Sequence, residues 1–323
     1  MKVIVTGAGG FIGSCMLHFL ESKGIETIAV DTFDQEDKRT LVGDYSNRNT
    51  LHRDQLIDQL PTLLPKVDAV IHLGARTDTA EMDVDLFDRL NLNYSKRIWD
   101  ECSQHQVPLL YASSAATYGG GEHGFRDDHQ HIKDLQPLNP YGQSKQDFDL
   151  WVLEQEQSPP RWAGFKFFNV YGPNEHFKGR MASVIFHTFH KIKQTGKMQL
   201  FRSHKEGIED GHQSRDFVYV KDVVKVLYHF LMLESTDHNA IYNLGTGQAR
   251  TFLDLASQTF IAQGLEPDIS FIDTPEDIRD KYQYFTEASM EKVRSTGFKD
   301  TFTSLEEGIK DYVQNYLIPN KTY

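Results

Sequence analysis

Tyr141 and Lys145 stand four residues apart in Tyr141-Gly142-Gln143-Ser144-Lys145, so on a helix both side chains leave one face. An ammonium beside a phenol favours the phenolate and draws its pKa down toward working pH. That would make Tyr141 a general acid/base for a substrate hydroxyl losing hydride. Upstream, Tyr111-Ala112-Ser113-Ser114 closes an apolar run, and the ends of such strands are where open parallel sheets gather their ligands. The Ser114 hydroxyl could there donate to the reacting oxygen. Taken singly, the tyrosine–lysine spacing is common and mostly means surface residues, and the serine reads as the polar end of a strand. Their chemistry depends on the elements that would bring them together.

The first of these is Thr6-Gly7-Ala8-Gly9-Gly10-Phe11-Ile12-Gly13, which follows an apolar strand and opens an amphipathic helix. Gly7 permits the tight turn, Gly10 lets a pyrophosphate approach the backbone, and Gly13 lets helix and strand pack closely. The N–H groups of the helix start, at Phe11 and Ile12, face an anion with the positive end of the helix dipole behind them. Asp31 closes the next predicted strand, where an acid meets the adenosine ribose hydroxyls. Loop, helix and acid together specify a dinucleotide. Asp31 favours a free 2′-hydroxyl and hence NAD, whereas Lys38 and Arg39 could fold back on the 2′-phosphate of NADP. The charged run Asp34 to Arg39 also reads as a solvated loop.

Predicted strands cover Lys2 to Thr6, Thr27 to Asp31, Val67 to His72, Pro108 to Ala112 and Gly164 to Asn169, with a helix over Phe11 to Ser22. Near-continuous apolar strands separated by helical patterns imply a Rossmann-type, doubly wound parallel sheet of the α/β class. Past Pro173 the alternation becomes irregular, with a polar insertion from Arg202 to Ser214. Ser304 and Glu307 form a capping box before a stripe of Leu305, Ile309, Val313 and Tyr316. The pattern predicts a dinucleotide-binding domain over residues 1–172, with 215–246 returning to it. A smaller, mostly C-terminal α/β domain over 173–214 and 247–323 would hold the substrate.

Composition narrows the rest. A net charge of −12 over 323 residues argues against nucleic acid as a partner. Mean hydropathy is −0.50, and no apolar run approaches the ~18 residues that span a bilayer. Met1 to Val5 runs straight into glycines, without the apolar core of a signal peptide. Cys15 and Cys102 support neither a disulfide framework nor a thiolate metal site. His123, His129 and His131 lack a metal-ligand spacing, so no metal is expected. These readings describe a soluble, cytoplasmic protein.

The glycine loop with Ser114, Tyr141 and Lys145 resembles the extended short-chain dehydrogenase/reductases, the superfamily of nucleotide-sugar epimerases and dehydratases. Further runs resemble the ADP-L-glycero-D-manno-heptose 6-epimerases within it. They are Tyr111 to Gly119, Phe168-Asn169-Val170-Tyr171-Gly172-Pro173, Lys178-Gly179, Met181 to Val184, Arg215 to Tyr219 and Asn243 to Gly247. The likeness covers nearly the whole chain and is most specific over Phe167 to His187. It implies oxidation and re-reduction of C6 of a heptose with tightly held NADP, an ADP-sugar as partner, a role in lipopolysaccharide core assembly, and a homo-oligomer, pentameric in that family. It implies Tyr141 and Lys178 as the two acid/base groups, with Lys145 and Ser114 in support. Cofactor contacts would fall to Gly7, Gly10, Phe11, Ile12, Gly13, Asp31, Thr32, Lys38, Arg53, the stretch Leu73, Gly74, Ala75, Arg76 and Thr77, and to Asn91, Tyr141, Lys145, Val170 and Lys178. Substrate contacts would fall to Ser114, Asn169, Arg180, His187, Phe201, Arg202, Ser203, His204, Arg215 and Tyr282. Arg180, where the family pattern has a serine, and the long charged insertion from Arg202 to Ser214 depart from it.

Among other readings, a 4,6-dehydratase would need a carboxylate beside Thr117, and Ser113 to Tyr118 carries none. A UDP-hexose 4-epimerase shares the redox residues and differs at the Lys178 block. A dinucleotide-binding redox sensor would not require Ser114, Tyr141 and Lys145 together.

Overall fold

A computed structural model describes residues 1–279 and 282–323. Seven parallel strands form the main sheet: β1 (Lys2–Thr6), β2 (Glu26–Asp31), β3 (Thr50–His52), β4 (Ala69–His72), β5 (Leu109–Ser114), β6 (Trp162–Phe167) and β10 (Ala240–Leu244). Their spatial order is β10-β6-β5-β4-β1-β2-β3. Strand order reverses on either side of β1, so a crevice opens between β1 and β4, where ligands of such sheets bind.

Successive residues of a strand face opposite sides, and the core obeys this. Val3 and Val5 pack into the layer under the helices Phe11–Ser22 and Val220–Met232. Ile4, between them, packs into the other layer, with the helices Arg53–Leu63, Tyr94–Gln104 and Pro140–Leu153. Both faces of the sheet are therefore covered, as the apolar strands require.

The remaining strands form two smaller sheets. Here β7 (Asn169–Tyr171), β9 (Ser214–Tyr219) and β11 (Ala249–Thr251) make one in the order β11-β9-β7, while β8 (Met198–Phe201) pairs with β12 (Ile269–Ile272). The predicted strand Gly164 to Asn169 is in fact two, β6 and β7, separated at Phe168. The N–H of Phe168 donates to the Leu244 carbonyl at 3.0 Å, and from there the chain passes to the three-stranded sheet. β5 runs on to Ser114, past the predicted end at Ala112. The last helix carries the expected capping box but is regular only over Leu305–Tyr312, relaxing into a wider turn over Val313–Leu317. Among the described residues, no helix is long and apolar enough to cross a membrane. His129 serves the fold: its Nε2 accepts the Ile241 N–H at 3.0 Å.

Candidate active site

The loop between β1 and the first helix is packed so closely that glycine is required. Gly7 has φ +68°, and a Cβ there would lie 2.7 Å from the Gly74 nitrogen. The Gly10 N–H closes the turn on the Gly7 carbonyl at 2.8 Å, and a Cβ on Gly13 would overlap that same carbonyl. Gly10 caps the helix Phe11–Ser22 without any side-chain bond. The first-turn N–H groups, at Phe11, Ile12 and Gly13, thus have no internal acceptor and suit a pyrophosphate.

At the end of β2, buried Asp31 gathers three donors. Its Oδ2 accepts the Gly9 N–H at 3.0 Å, and its Oδ1 accepts the Thr32 N–H at 2.7 Å and the Lys38 ammonium at 2.6 Å. Lys38 therefore does fold back from its loop. Arg39 does not; it donates to the carbonyls of Phe33 and Asp34. Arg53 begins the helix that follows β3, with its Nε 3.3 Å from Asp54 Oδ1, and His52 just before it pairs with Asp31 across the sheet.

After β4, the stretch Leu73 to Thr77 is held by a buried chain of polar groups. The Gly74 N–H donates to Thr6 Oγ1 at 3.1 Å, Thr6 Oγ1 and His72 Nδ1 are 2.6 Å apart, and His72 Nε2 lies 2.9 Å from Ser95 Oγ. Burial holds the His72 imidazole down to a pKa of about 3, so it is neutral. Ser95 donates to the Asn91 carbonyl. The Asn91 amide accepts the Arg76 N–H at 2.8 Å and donates to the Arg76 carbonyl at 2.9 Å and to Ser144 Oγ at 3.0 Å. Ser144 in turn donates to the Tyr141 carbonyl at 2.8 Å. The amide of Asn91 is thus occupied in tying the loop after β4 to the helix Pro140–Leu153. The role of His72 is not legible in the sequence, because its ring is held between Thr6 and Ser95, 66 and 23 residues away in the chain.

Tyr141 lies in the first turn of the helix Pro140–Leu153, started by Pro140 and by Asn139, whose side chain accepts the Gly142 N–H at 2.8 Å. Its phenol lies near enough to Ser114, at the end of β5, for that side chain to act on its pKa, while Ser114 Oγ accepts the Ala116 N–H at 3.1 Å. The sequence predicts a lowered tyrosine pKa. In the structure burial raises it, and the Ser114 hydroxyl is the group that opposes the rise. The reason is that Lys145 turns its ammonium onto the Ala112 carbonyl at 2.8 Å, while burial pulls Lys145 itself down to a pKa of about 8.

Lys178 lies on the turn His176–Met181 with its ammonium 5.5 Å from the centre of the Phe11 ring, directly at the phosphate loop. Burial lowers its pKa, and Glu175 opposes the change. Val170 is half-buried in β7, with Asn169 exposed before it. Arg180 points at the loop after β4, where both of its contacts to Asp78, at 2.8 and 2.9 Å, come from one nitrogen.

A second cluster gathers on β9. Buried Arg215 lies between the rings of Phe252 and Tyr282, 5.6 Å from each, and donates to the carbonyls of Ser214 and Gln283. Among the described residues it has no carboxylate partner, an arrangement that suits an anion. Phe201 packs edge-on to Tyr282 at 6.1 Å. Arg202 is exposed between Asp210 and Asp273, the Ser203 N–H donates to Asp210, and the His204 N–H to Tyr284. Gln283 also reaches the Gly119 carbonyl, which brings this cluster against the loop that follows Ser114. His187 stands exposed on the helix Val184–Thr195, beside Phe186. The described contacts do not join it to Arg215.

The family model described as the NAD dependent epimerase/dehydratase family matches residues 3–245. A relative from Fusobacterium nucleatum subsp. nucleatum, named ADP-L-glycero-D-manno-heptose-6-epimerase, is 44% identical over 99% of both chains. One of the same name from Nitratidesulfovibrio vulgaris is 46% identical over 97% of both. Among solved structures, the Helicobacter pylori ADP-L-glycero-D-manno-heptose-6-epimerase aligns with a TM-score of 0.82 at 24% identity, covering 97% of this chain and 95% of that one. The Thermus thermophilus UDP-glucose 4-epimerase, in complex with NAD, aligns at 0.75 with 26% identity, over 97% and 98%.

Proposed function

We infer, since the chain belongs to the NAD dependent epimerase/dehydratase family, that its site interconverts ADP-D-glycero-D-manno-heptose and ADP-L-glycero-D-manno-heptose. Full-length identity of 44% and 46% to relatives of that name supports the choice of sugar. The observation that carries the chemistry is the Lys145–Ala112 bond, which anchors the helix bearing Tyr141 to the end of β5 near Ser114, with Lys178 over the Phe11 ring. A bound nicotinamide dinucleotide supplies the site with a reversible hydride acceptor for C6. The protein's own groups do the rest. Ser114 and Tyr141 hold the C6 oxygen and exchange its proton, Lys145 fixes the helix face from which Tyr141 works, and Lys178 exchanges the proton when the oxygen lies on the other side. Residues 1–172 and 215–246 would hold the dinucleotide, and 173–214 and 247–323 the ADP-sugar. The reading extends to a cytoplasmic homo-oligomer whose product feeds lipopolysaccharide core assembly.

The purified protein is expected to convert either ADP-heptose epimer into a mixture of both, read by proton NMR. In heavy water C6 stays unlabelled, because the hydrogen that leaves the carbon returns to it. Failure to convert either epimer overturns the sugar assignment. Deuterium at C6 overturns the redox route in favour of deprotonation at carbon.

The cofactor is proposed to be NADP. Lys38 neutralises Asp31 at 2.6 Å, the carboxylate that would otherwise repel a 2′-phosphate, and the same ammonium would bond that group in the complex. Lys38→Ala removes the cation and exposes the carboxylate, and both changes disfavour NADP. The NADP/NAD affinity ratio, measured by titration calorimetry, should fall roughly tenfold or more, the worth of one charge-assisted bond. An unchanged ratio assigns the 2′-phosphate to another residue.

A further inference from the structure

The helix face that carries Tyr141 and Lys145 continues one turn further to Asp149. Asp149 pairs with Lys166 of β6 at 2.6 Å, and both side chains are fully buried. An ion pair at that depth repays its desolvation only when its remaining donors and acceptors are also bonded. Here they are. Asp149 Oδ2 also accepts the Ser113 hydroxyl at 2.6 Å, and Oδ1 accepts the Tyr111 hydroxyl at 3.2 Å. Lys166 donates to Thr117 Oγ1 at 2.7 Å, and Thr117 donates to the Ser114 carbonyl at 2.8 Å. The last four residues of β5 are therefore all held: Tyr111, Ser113 and Ser114 by this network, and Ala112 by Lys145.

We propose that the buried Asp149–Lys166 pair is a positioning device for the redox site, fixing the end of β5 so that Ser114 meets Tyr141 and setting the charge around Lys145. The inference rests on the reading that Ser114, Tyr141 and Lys145 perform the hydroxyl chemistry. Neither partner of the pair reaches the substrate; both act through other residues.

The groups around Lys145 make the electrostatic part specific. Tyr141 and Asp149 come from its own helix, His72 from β4, Tyr111 from β5, Tyr118 from the turn after β5, Lys166 from β6, and His129 from the turn His129–Ile132. Burial holds His72 and His129 well below the usual histidine range and drives Tyr111 and Tyr118 well above the usual tyrosine range. All four are neutral at working pH. Among the described residues, Asp149 is the charge that acts on Lys145, and Lys166, 2.6 Å from that carboxylate, offsets it. Burial lowers the Lys145 pKa and Asp149 raises it.

The test is the pH profile of kcat/KM for the ADP-heptose, measured on the holoenzyme. It compares wild type with Asp149→Asn, Lys166→Gln and the double variant. Asp149→Asn removes the attraction and leaves the Lys166 ammonium, so the alkaline limb moves down by about one pH unit or more. Lys166→Gln leaves the carboxylate to Lys145 alone, and the limb moves up. The double variant strands no buried charge and keeps polar groups for Ser113 and Thr117; its limb lies between those of the two single variants and below wild type. Where a single variant does not give folded protein, the double variant decides. Melting temperatures are measured in parallel. A purely structural role lowers the melting temperatures and leaves every alkaline limb at the wild-type pH, which overturns the proposal. A wild-type enzyme inactive on the ADP-heptose instead overturns the reading of the site on which this proposal stands.

Discussion

Tyr141→Phe and Lys178→Met are each expected to abolish steady-state epimerisation, by about a thousandfold or more, the range in which general acid/base groups contribute. Inverting C6 requires a proton to leave a hydroxyl in one orientation of the sugar and return to it in the other. A single base would have to reach both positions of the oxygen. The structure supplies two candidates from different parts of the chain: Tyr141, near Ser114 at the end of β5, and Lys178, over the Phe11 ring at the glycine loop. Burial drives their pKa values apart in a useful sense, raising the tyrosine, which keeps its proton, and lowering the lysine, which gives its proton up more readily. In single turnovers each variant should still oxidise one epimer, seen as a change in cofactor absorbance, and the epimers that remain reactive should be opposite. Dinucleotide binding should be nearly unchanged, because the loop Gly7 to Gly13 is untouched. Near-wild-type epimerisation by Lys178→Met would show that Tyr141 works alone.

The parts of this site legible in the sequence are those with local causes. The glycine loop, its strand and its helix follow from turn geometry and periodicity within a dozen residues or so, and the structure places β1 and the helix Phe11–Ser22 at the predicted residues. β10 was not legible. Its five residues are all buried but include Asn243, whose N–H and side chain are bonded by Asp127, Phe125 and Tyr118, far away in sequence. The strand pairs β7–β9 and β8–β12 likewise depend on partners some 45 to 70 residues apart. Charge pattern could not separate Lys38 from Arg39, since only the fold decides which of them reaches Asp31. The direction of the Tyr141 shift failed for a related reason: spacing shows the lysine four residues on, but not how deeply the phenol is buried or that the ammonium turns to Ala112. Asp149 did leave a signal, standing four residues beyond Lys145 on the same helix face. Lys166, a lone charge inside the apolar run Trp162 to Phe168, left another.

Arg215→Lys is expected to raise KM for the ADP-heptose roughly tenfold or more, with kcat little changed, because a charge-assisted bond worth ~1.5–3 kcal/mol is lost equally from ground and transition states. A chain of net charge −12 must hold a pyrophosphate with local cations. Lys38 and Arg202 are already beside carboxylates, at Asp31 and at Asp210 and Asp273. Arg215 is buried, yet among the described residues it has carbonyl partners only, at Ser214 and Gln283. Two of its five N–H groups are used there, and the rings of Phe252 and Tyr282 hold the guanidinium between them. The donors that remain can meet phosphate oxygens in pairs, which a lysine ammonium on a flexible stem cannot do. Arg202→Lys serves as the comparison. Arg202 is exposed and shares two acids, so its replacement should change KM by much less. The same KM in Arg215→Lys as in wild type would move the pyrophosphate away from β9. An equal rise in both variants would mean that the two arginines act through the general field of the cleft, and that no bidentate contact forms at Arg215.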